Sequence, residues 1–242
     1  LIIFYGNASQ QGSARVITVD GANKTISAGS ELVYEAGSTD TTGAAAYNTL
    51  AGKAQSMCKD QGDSNKGKLY LFTVSGTTIT LDSTTVIDTN GTERFVGDFS
   101  PSLGASVFAY TDEDTSTGEA FVTKLGYNTL TSENYIGMSR GFTSPAVNGT
   151  KTTFDSNAIK SELTGSVYDP DTGKIIICYV RASDSNGLAV VGTVDGATLS
   201  FGTPVVFNAA ATEHTAITYD TSNDKVVIFY KDAGNSSYGT SI

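Results

Sequence analysis

Apolar residues in this chain come in short runs of four to six, separated by clusters of Asp, Asn, Gly and Ser, and within many runs they alternate with polar residues. Leu69-Tyr70-Leu71-Phe72-Thr73-Val74 and His214-Thr215-Ala216-Ile217-Thr218-Tyr219 are examples. A two-residue period bounded by turn formers predicts strands joined by hairpins. The stretch from Ala44-Ala45-Ala46 to Met57 has helical propensity. It shares the aromatic interval described next, however, and is read as strand, turn, strand.

Segments of the chain resemble one another. Tyr168-Asp169-Pro170-Asp171-Thr172-Gly173-Lys174-Ile175-Ile176-Ile177-Cys178-Tyr179 matches Tyr219-Asp220-Thr221-Ser222-Asn223-Asp224-Lys225-Val226-Val227-Ile228-Phe229-Tyr230 as aromatic, turn, Lys, four apolar residues, Tyr. The same 11-position interval links Tyr47 to Cys58 and Phe99 to Tyr110, and the opening Leu1-Ile2-Ile3-Phe4-Tyr5 has the phase of Val226–Tyr230. Markers at 5, 58, 110, 179 and 230 give spacings of 53, 52, 69 and 51, a unit of about 52 residues with one insertion. Each unit continues through a turn (Val19-Asp20-Gly21, Val74-Ser75-Gly76, Val194-Asp195-Gly196) and a short step (Ile26-Ser27, Ile79-Thr80, Leu130-Thr131, Leu199-Ser200). A further strand follows at Leu32-Val33-Tyr34, Thr85-Val86-Ile87 and Val205-Val206-Phe207.

The expected fold class is therefore all-β, built from repeated four-stranded antiparallel units. A four-stranded unit of this size cannot bury both faces alone, and its serial repetition points to β-propeller blades; stacked β-sandwich modules, as in fibres, are the competing architecture. The units run 1–52, 53–104, 105–173, 174–224 and a partial 225–242, with the insertion near 136–163, between Gly137-Met138-Ser139-Arg140-Gly141-Phe142 and Asp155-Ser156-Asn157-Ala158-Ile159-Lys160. The partial last unit, and a start at Leu1 inside an apolar run, read as one repeat-built domain of a longer polypeptide.

Charge narrows the partners. Lys and Arg number 15 against 25 Asp and Glu, a net charge of −10, which opposes a phosphate-neutralising surface and excludes nucleic acid from the expected partners. No apolar run approaches the roughly 20 residues of a membrane helix, and residues 1–20 lack a signal-peptide pattern, so no membrane insertion is expected. The two cysteines, Cys58 and Cys178, lie in apolar runs and are read as buried free thiols; two Cys and one His are too few for a structural zinc site.

Candidate chemistry is sparse. His214, the single histidine, would have to serve any Ser-His-Asp or Cys-His arrangement, yet it falls at a repeat strand's start and is read as structural or exposed. The acidic loop Asp112-Glu113-Asp114-Thr115-Ser116-Thr117-Gly118-Glu119 offers clustered carboxylates, with Asp112 and Asp114 as the open question for a hard cation. It lacks the EF-hand order and is read as a solvated turn. Asp169-Pro170-Asp171-Thr172-Gly173 and Asp220–Asp224 are turn chemistry. Many carboxylates are present, but sequence alone pairs none of them as a glycosidase would. The Ser-x-Asp-x-Gly-x-Thr-Trp box of sialidase propellers is absent, as is Trp altogether, and no phosphate-cradling G-x-x-x-x-G-K-S/T loop occurs. Asn7, Asn23, Asn90, Asn148 and Asn235 begin N-x-S/T triplets, as a Thr- and Ser-rich chain produces by chance. Tyr and loop Asn or Asp suit carbohydrate recognition, although Tyr47, Tyr168, Tyr179, Tyr219 and Tyr230 hold the repeat frame and are read as packing residues. No catalytic, cofactor-binding or metal-ligating residue is assigned, and no cofactor is expected.

Gly202-Thr203-Pro204-Val205-Val206-Phe207-Asn208 and Tyr219-Asp220 through Lys225-Val226-Val227-Ile228-Phe229-Tyr230-Lys231-Asp232-Ala233-Gly234-Asn235-Ser236-Ser237-Tyr238-Gly239-Thr240 resemble the β-propeller-like repeats of fibre and virion-associated structural proteins of tailed bacteriophages, marine ones especially. Leu130-Thr131-Ser132-Glu133-Asn134-Tyr135-Ile136-Gly137 resembles a short motif of the same proteins. The resemblance is fullest over 174–242, weaker over 1–52 and confined to the framework over 53–130. It implies a non-enzymatic structural protein of a phage virion, in a fibre, tail appendage or capsid decoration. Its implied location is the virion surface or extracellular space, and its implied partners are other virion proteins or copies of itself and host-surface glycans. A secreted or cell-surface carbohydrate-binding propeller and a glycan-cleaving propeller enzyme are the alternatives.

Overall fold

A computed structural model describes residues 1–39, 43–125 and 146–242. Its strands pair antiparallel, and the helical element among the described residues is a single 3-10 turn at Gln61–Asp63. The first sheet holds β1 (Ile2–Gly6) and β2 (Gln11–Asp20), with β3 (Thr25–Ala28) and β4 (Leu32–Ser38) sharing the far edge of β2. The second holds β5 (Ala44–Asn48), β6 (Lys53–Asp60), β7 (Lys66–Ser75) and the first part of β8 (Thr78–Ser100). From Thr92 onward β8 changes partner and becomes the inner strand of the third sheet, beside β9 (Ala105–Asp112) and β10 (Gly118–Leu125). There β11 (Ala146–Asn148) and β12 (Thr152–Asp155) share the edge of β10. The fourth sheet runs β13 (Ile159–Asp169), β14 (Lys174–Arg181), β15 (Gly187–Asp195), then β16 (Thr198–Phe201) and β17 (Val205–Asn208) on one edge; the fifth is β18 (Thr212–Asp220), β19 (Lys225–Asp232) and β20 (Tyr238–Ser241).

The repeat maps onto these sheets simply. The marker Tyr5 lies on β1, and Cys58, Tyr110, Tyr179 and Tyr230 lie on the second strands of their sheets, β6, β9, β14 and β19; the turns read at Gly76 and Gly196 are tight hairpins in which a glycine takes φ of +60° and +59°, a conformation open to glycine and costly for most other residues. The Thr-Ile/Leu-Ser/Thr step and the strand after it form one outer position split in two, seen as β3 with β4 and β16 with β17. Ala44 to Met57 is strand, turn, strand. The edges between repeat units at 52/53, 104/105, 173/174 and 224/225 fall in the turns that join each inner strand to the second strand. The Leu130-Thr131 step, the Leu130–Gly137 motif and the Gly137–Phe142 stretch lie outside the described residues.

Each hydrophobic cluster sits between two consecutive sheets. Ile2, Phe4, Ala14 and Tyr34 meet Tyr70 and Phe72 between the first and second; Met57 and Leu69 meet Phe108, Tyr110 and Phe121 between the second and third. Val107, Ala109 and Val122 meet Ile175, Ile177, Tyr179 and Val190 between the third and fourth, and Cys178 meets Ile228 and Tyr230 between the fourth and fifth. A strand inside such a stack is buried on both faces: all eight residues of β9 are buried, with Val107 and Ala109 facing one neighbour and Phe108 and Tyr110 the other. That double burial explains the unbroken Lys-apolar-Tyr runs. The inner strands β5, β8, β13 and β18 lie next to one another, and Gly165 permits one such approach, since a Cβ there would stand 2.5 Å from Ile217 Cγ2. Face-on stacking around adjoining inner strands makes this a partial β-propeller of four-stranded blades. Both cysteines are buried and neither forms a disulfide. Among the described residues no helix is long and apolar enough to cross a membrane.

Candidate functional site

The buried aspartates Asp60, Asp88, Asp112 and Asp155 lie on the face where second strands turn into third strands and where each outer strand crosses to the next sheet. Two residues past the marker, Asn7, Asp60, Asp112 and Asp232 each open such a turn by accepting backbone N–H groups: Asn7 from Ser9 and Gln11, Asp60 from Gly62 and Asp63, Asp112 from Asp114 and Thr115, Asp232 from Asn235. Arg181 holds this position in the fourth sheet. It forks onto Asp184, whose Oδ1 accepts the Asn186 N–H, and that pairing with Arg181 holds the Asp184 carboxyl below its ordinary range.

The marker tyrosines reach across this face. Tyr110 Oη donates to Asp88 Oδ2 at 2.8 Å and Tyr179 Oη to Asp155 Oδ2 at 2.8 Å, in each case from one sheet to the last strand of the sheet before it. The accepting Asp also caps its own crossover, through the N–H of Asn90 or of Asn157. Between the first two sheets Cys58 occupies the marker position, and Tyr70 of the adjacent strand makes the link, donating to Glu35 Oε2 at 3.0 Å. Lys68 lies beside that pair with Asp63 Oδ2 at 3.3 Å and Glu35 Oε2 at 3.6 Å. Burial disfavours the Lys68 ammonium, but the hydrogen bonds it donates to Asp60 and Asp63 outweigh it and raise its pKa.

Lys151 plays a matching part between the second and third sheets, 2.8 Å from Asp88 Oδ2 and 3.5 Å from Asp112 Oδ2. Burial would raise the Asp88 carboxyl; Lys151, the Asn90 amide and the Tyr110 hydroxyl together hold it below its ordinary value. Asp98, on the inner strand β8, shifts the other way: burial raises it in spite of the N–H groups it accepts from Tyr168 and Phe99. Inside the stack, Ser106 Oγ donates to Gln55 Oε1 at 2.6 Å and Gln55 Nε2 to Thr123 Oγ1 at 3.3 Å, a fully buried amide tied to the neighbouring sheet.

Around the inner strands, Ala44, Val96, Gly97, Gly165, Ser166 and Ala216 line a cavity of 310 Å³. Arg94 and His214 stand at equivalent places near one end of these strands, each at positive φ (54° and 50°) within a bulge that turns the side chain out of the ladder.

The structure refines the sequence reading of individual residues. His214 is exposed, as read. The 112–119 loop is a turn, but it is not solvated at its start: Asp112 is 2% exposed and faces Lys151 and Asn90, while Asp114 points to solvent, so the two carboxylates do not converge. Asp169 and Asp220 cap their turns, as read. Tyr168, Tyr179 and Tyr230 are buried; Tyr47 lies on a strand edge, 46% exposed. The tyrosine–carboxylate links are not among the features read from the sequence. Their signal is an Asp 22 or 24 positions before the marker tyrosine.

No protein-family model matches the chain, and no curated protein matches it in sequence. Among solved structures, a protein from Lactobacillus plantarum superposes over 100% of this chain and 65% of its own length with a TM-score of 0.59 and 13% identity. The NanB sialidase of Streptococcus pneumoniae, as a K499G mutant, superposes over 91% of this chain and 32% of its own length with a TM-score of 0.54 and 11% identity. This chain thus spans less than two thirds of either protein. At such identities the likeness is one of fold.

Proposed function

We propose that the chain is a non-enzymatic structural module of a phage virion, part of a fibre, tail appendage or capsid decoration, that presents its loop face to host-surface glycans. The observation that carries this reading is the employment of the loop-face carboxylates. Asp88, Asp155 and Glu35 accept tyrosine hydroxyls from the neighbouring sheet, and Asp60 and Asp112 are held by turn amides and by lysines. A glycosidase keeps two carboxyls aimed into a cleft, one of them protonated; these carboxylates instead join blade to blade. Exposed Asn, Asp and Thr on the turns supply hydroxyl-recognising groups, and the sequence resemblance supports the virion setting.

The test is a panel of surface glycans, sialosides included, with retention and released sugar followed together. Retention without turnover is expected. Released sugar that disappears when one carboxylate is changed to its amide would replace this reading with that of a glycan-cleaving propeller.

A further inference from the structure

The outer position is interrupted in the first, third and fourth sheets. β3 and β4 are separated by Gly29-Ser30-Glu31, β11 and β12 by Gly149-Thr150-Lys151, and β16 and β17 by Gly202-Thr203-Pro204, so each edge carries a glycine break with a charge or a proline. Such features keep a sheet edge from pairing with another chain. The outer edge of the second sheet has none of them. β8 follows β7 without a break from Thr78 to Gly91, residues Thr80 to Val86 are all exposed, and no described strand pairs with the far side of β8 before Thr92. Asp82 is the one ionisable residue from Thr78 to Ile87, and its charge is met by Lys53 Nζ at 2.7 Å and by the Thr73 hydroxyl at 2.9 Å.

The register fixes which groups this edge presents. Ser75 and Thr78 close a two-residue turn as a hydrogen-bonded pair, and alternation along β7 then directs Thr73, Leu71 and Leu69 toward β8. Ile79, Leu81, Thr84 and Val86 stand opposite the residues in between, Val74, Phe72, Tyr70 and Lys68, so they turn their N–H and C=O groups outward. A bulge at Asp82 makes the step from Leu81 to Thr84 three residues instead of two. The outward set is therefore its own antiparallel complement about the point between Asp82 and Ser83. Under a two-fold axis there, Ile79 meets Val86 and Leu81 meets Thr84 as hydrogen-bonded pairs, while Thr80 faces Thr85 and Asp82 faces Ser83. No like charges are opposed, and Leu81 and Val86, 37% and 44% exposed, come together diagonally across the junction. We propose that this edge pairs with the same edge of a second copy of the chain, joining the two second sheets into one through an isologous contact. The symmetry of the outward set selects a second copy as the occupant, since an unrelated strand would require none. The inference is independent of the function proposed above.

Sedimentation of the polypeptide that carries these residues, over a dilution series, should show a monomer–dimer equilibrium. The amides of Ile79, Leu81, Thr84 and Val86 should become protected from hydrogen exchange as the dimer forms. Thr80→Lys combined with Thr85→Lys, both at exposed positions, sets like charges opposite each other twice across the axis and should raise the dissociation constant at least about tenfold. Thr80→Lys combined with Thr85→Glu sets opposite charges at the same places and should restore the dimer. Four results would overturn the proposal: a monomer at every concentration up to about 1 mM, protection of the four amides that does not depend on concentration, a dimer that the double lysine variant leaves intact, or a dimer lost equally in both variants.

Discussion

The Tyr179 hydroxyl donates to Asp155 Oδ2 at 2.8 Å across the boundary between the third and fourth sheets, and the same carboxylate accepts the Asn157 N–H that starts the crossover between them. One side chain thereby fixes both the path of the connection and the packing of the blade it leads into. Tyr179 is fully buried, so Tyr179→Phe removes a charge-assisted hydrogen bond and leaves a buried acceptor underused. The expected loss is about 1.5–3 kcal/mol, read as a lower urea midpoint with unchanged slope. Tyr47→Phe, on a half-exposed strand edge, should change stability by less than about 0.5 kcal/mol.

Acid stability should depend on Asp88. Its folded pKa is depressed, so its contribution is present above the ordinary carboxylate range, near pH 4, and is lost as the pH falls through the lower folded value. Asp88→Asn should flatten the fall of stability below about pH 4. Asp98 has the opposite sign. Its folded pKa is raised, so its contribution is full below the ordinary range and lost as the pH rises through the folded value, and Asp98→Asn should recover stability towards neutral pH. Denaturant midpoints at a series of pH values separate the two.

Gly97 lies on the inner strand directly opposite Phe108, and a Cβ there would stand 2.6 Å from the ring of that buried residue. Gly97→Ala should cost about 1–3 kcal/mol through overpacking. Gly21→Ala, where a Cβ meets nothing within 4 Å, should be close to neutral. Thermal melts of the two variants provide the comparison.

The thiols should be silent in the folded protein. Burial pushes the Cys58 thiol up to about 12, and Cys178 is fully buried. At pH 8 a thiol reagent should label neither within the time it takes to label both in denaturant, with the count read by intact mass.

The period of the fold is legible in the sequence because the marker strand must be buried on both faces, which forces apolar residues at consecutive positions such as Ile175–Tyr179. The phase is not. The strongest similarity spans the turn between inner and second strands, so a unit cut there separates Tyr168 from the sheet's other strands although Tyr168 pairs with Ile175. The polar face is harder still to read. An Asp that caps a turn and an Asp that also binds a tyrosine of the next sheet look alike as letters, and what tells Asp155 from Asp220 is a partner 24 positions away. The burial of Asp112 is hidden in the sequence for the same reason, since Lys151 lies 39 positions away, in the connection between β11 and β12.

The claim that this is a structural module of a virion is tested most directly by following the native polypeptide that carries these residues through density-gradient purification of particles, with peptides of this chain quantified in each fraction by mass spectrometry. The account predicts peptides in the particle band at a fixed ratio to the major particle protein, retained after a high-salt wash. Peptides confined to the soluble or cell-envelope fractions, at no fixed ratio to particles, would contradict it.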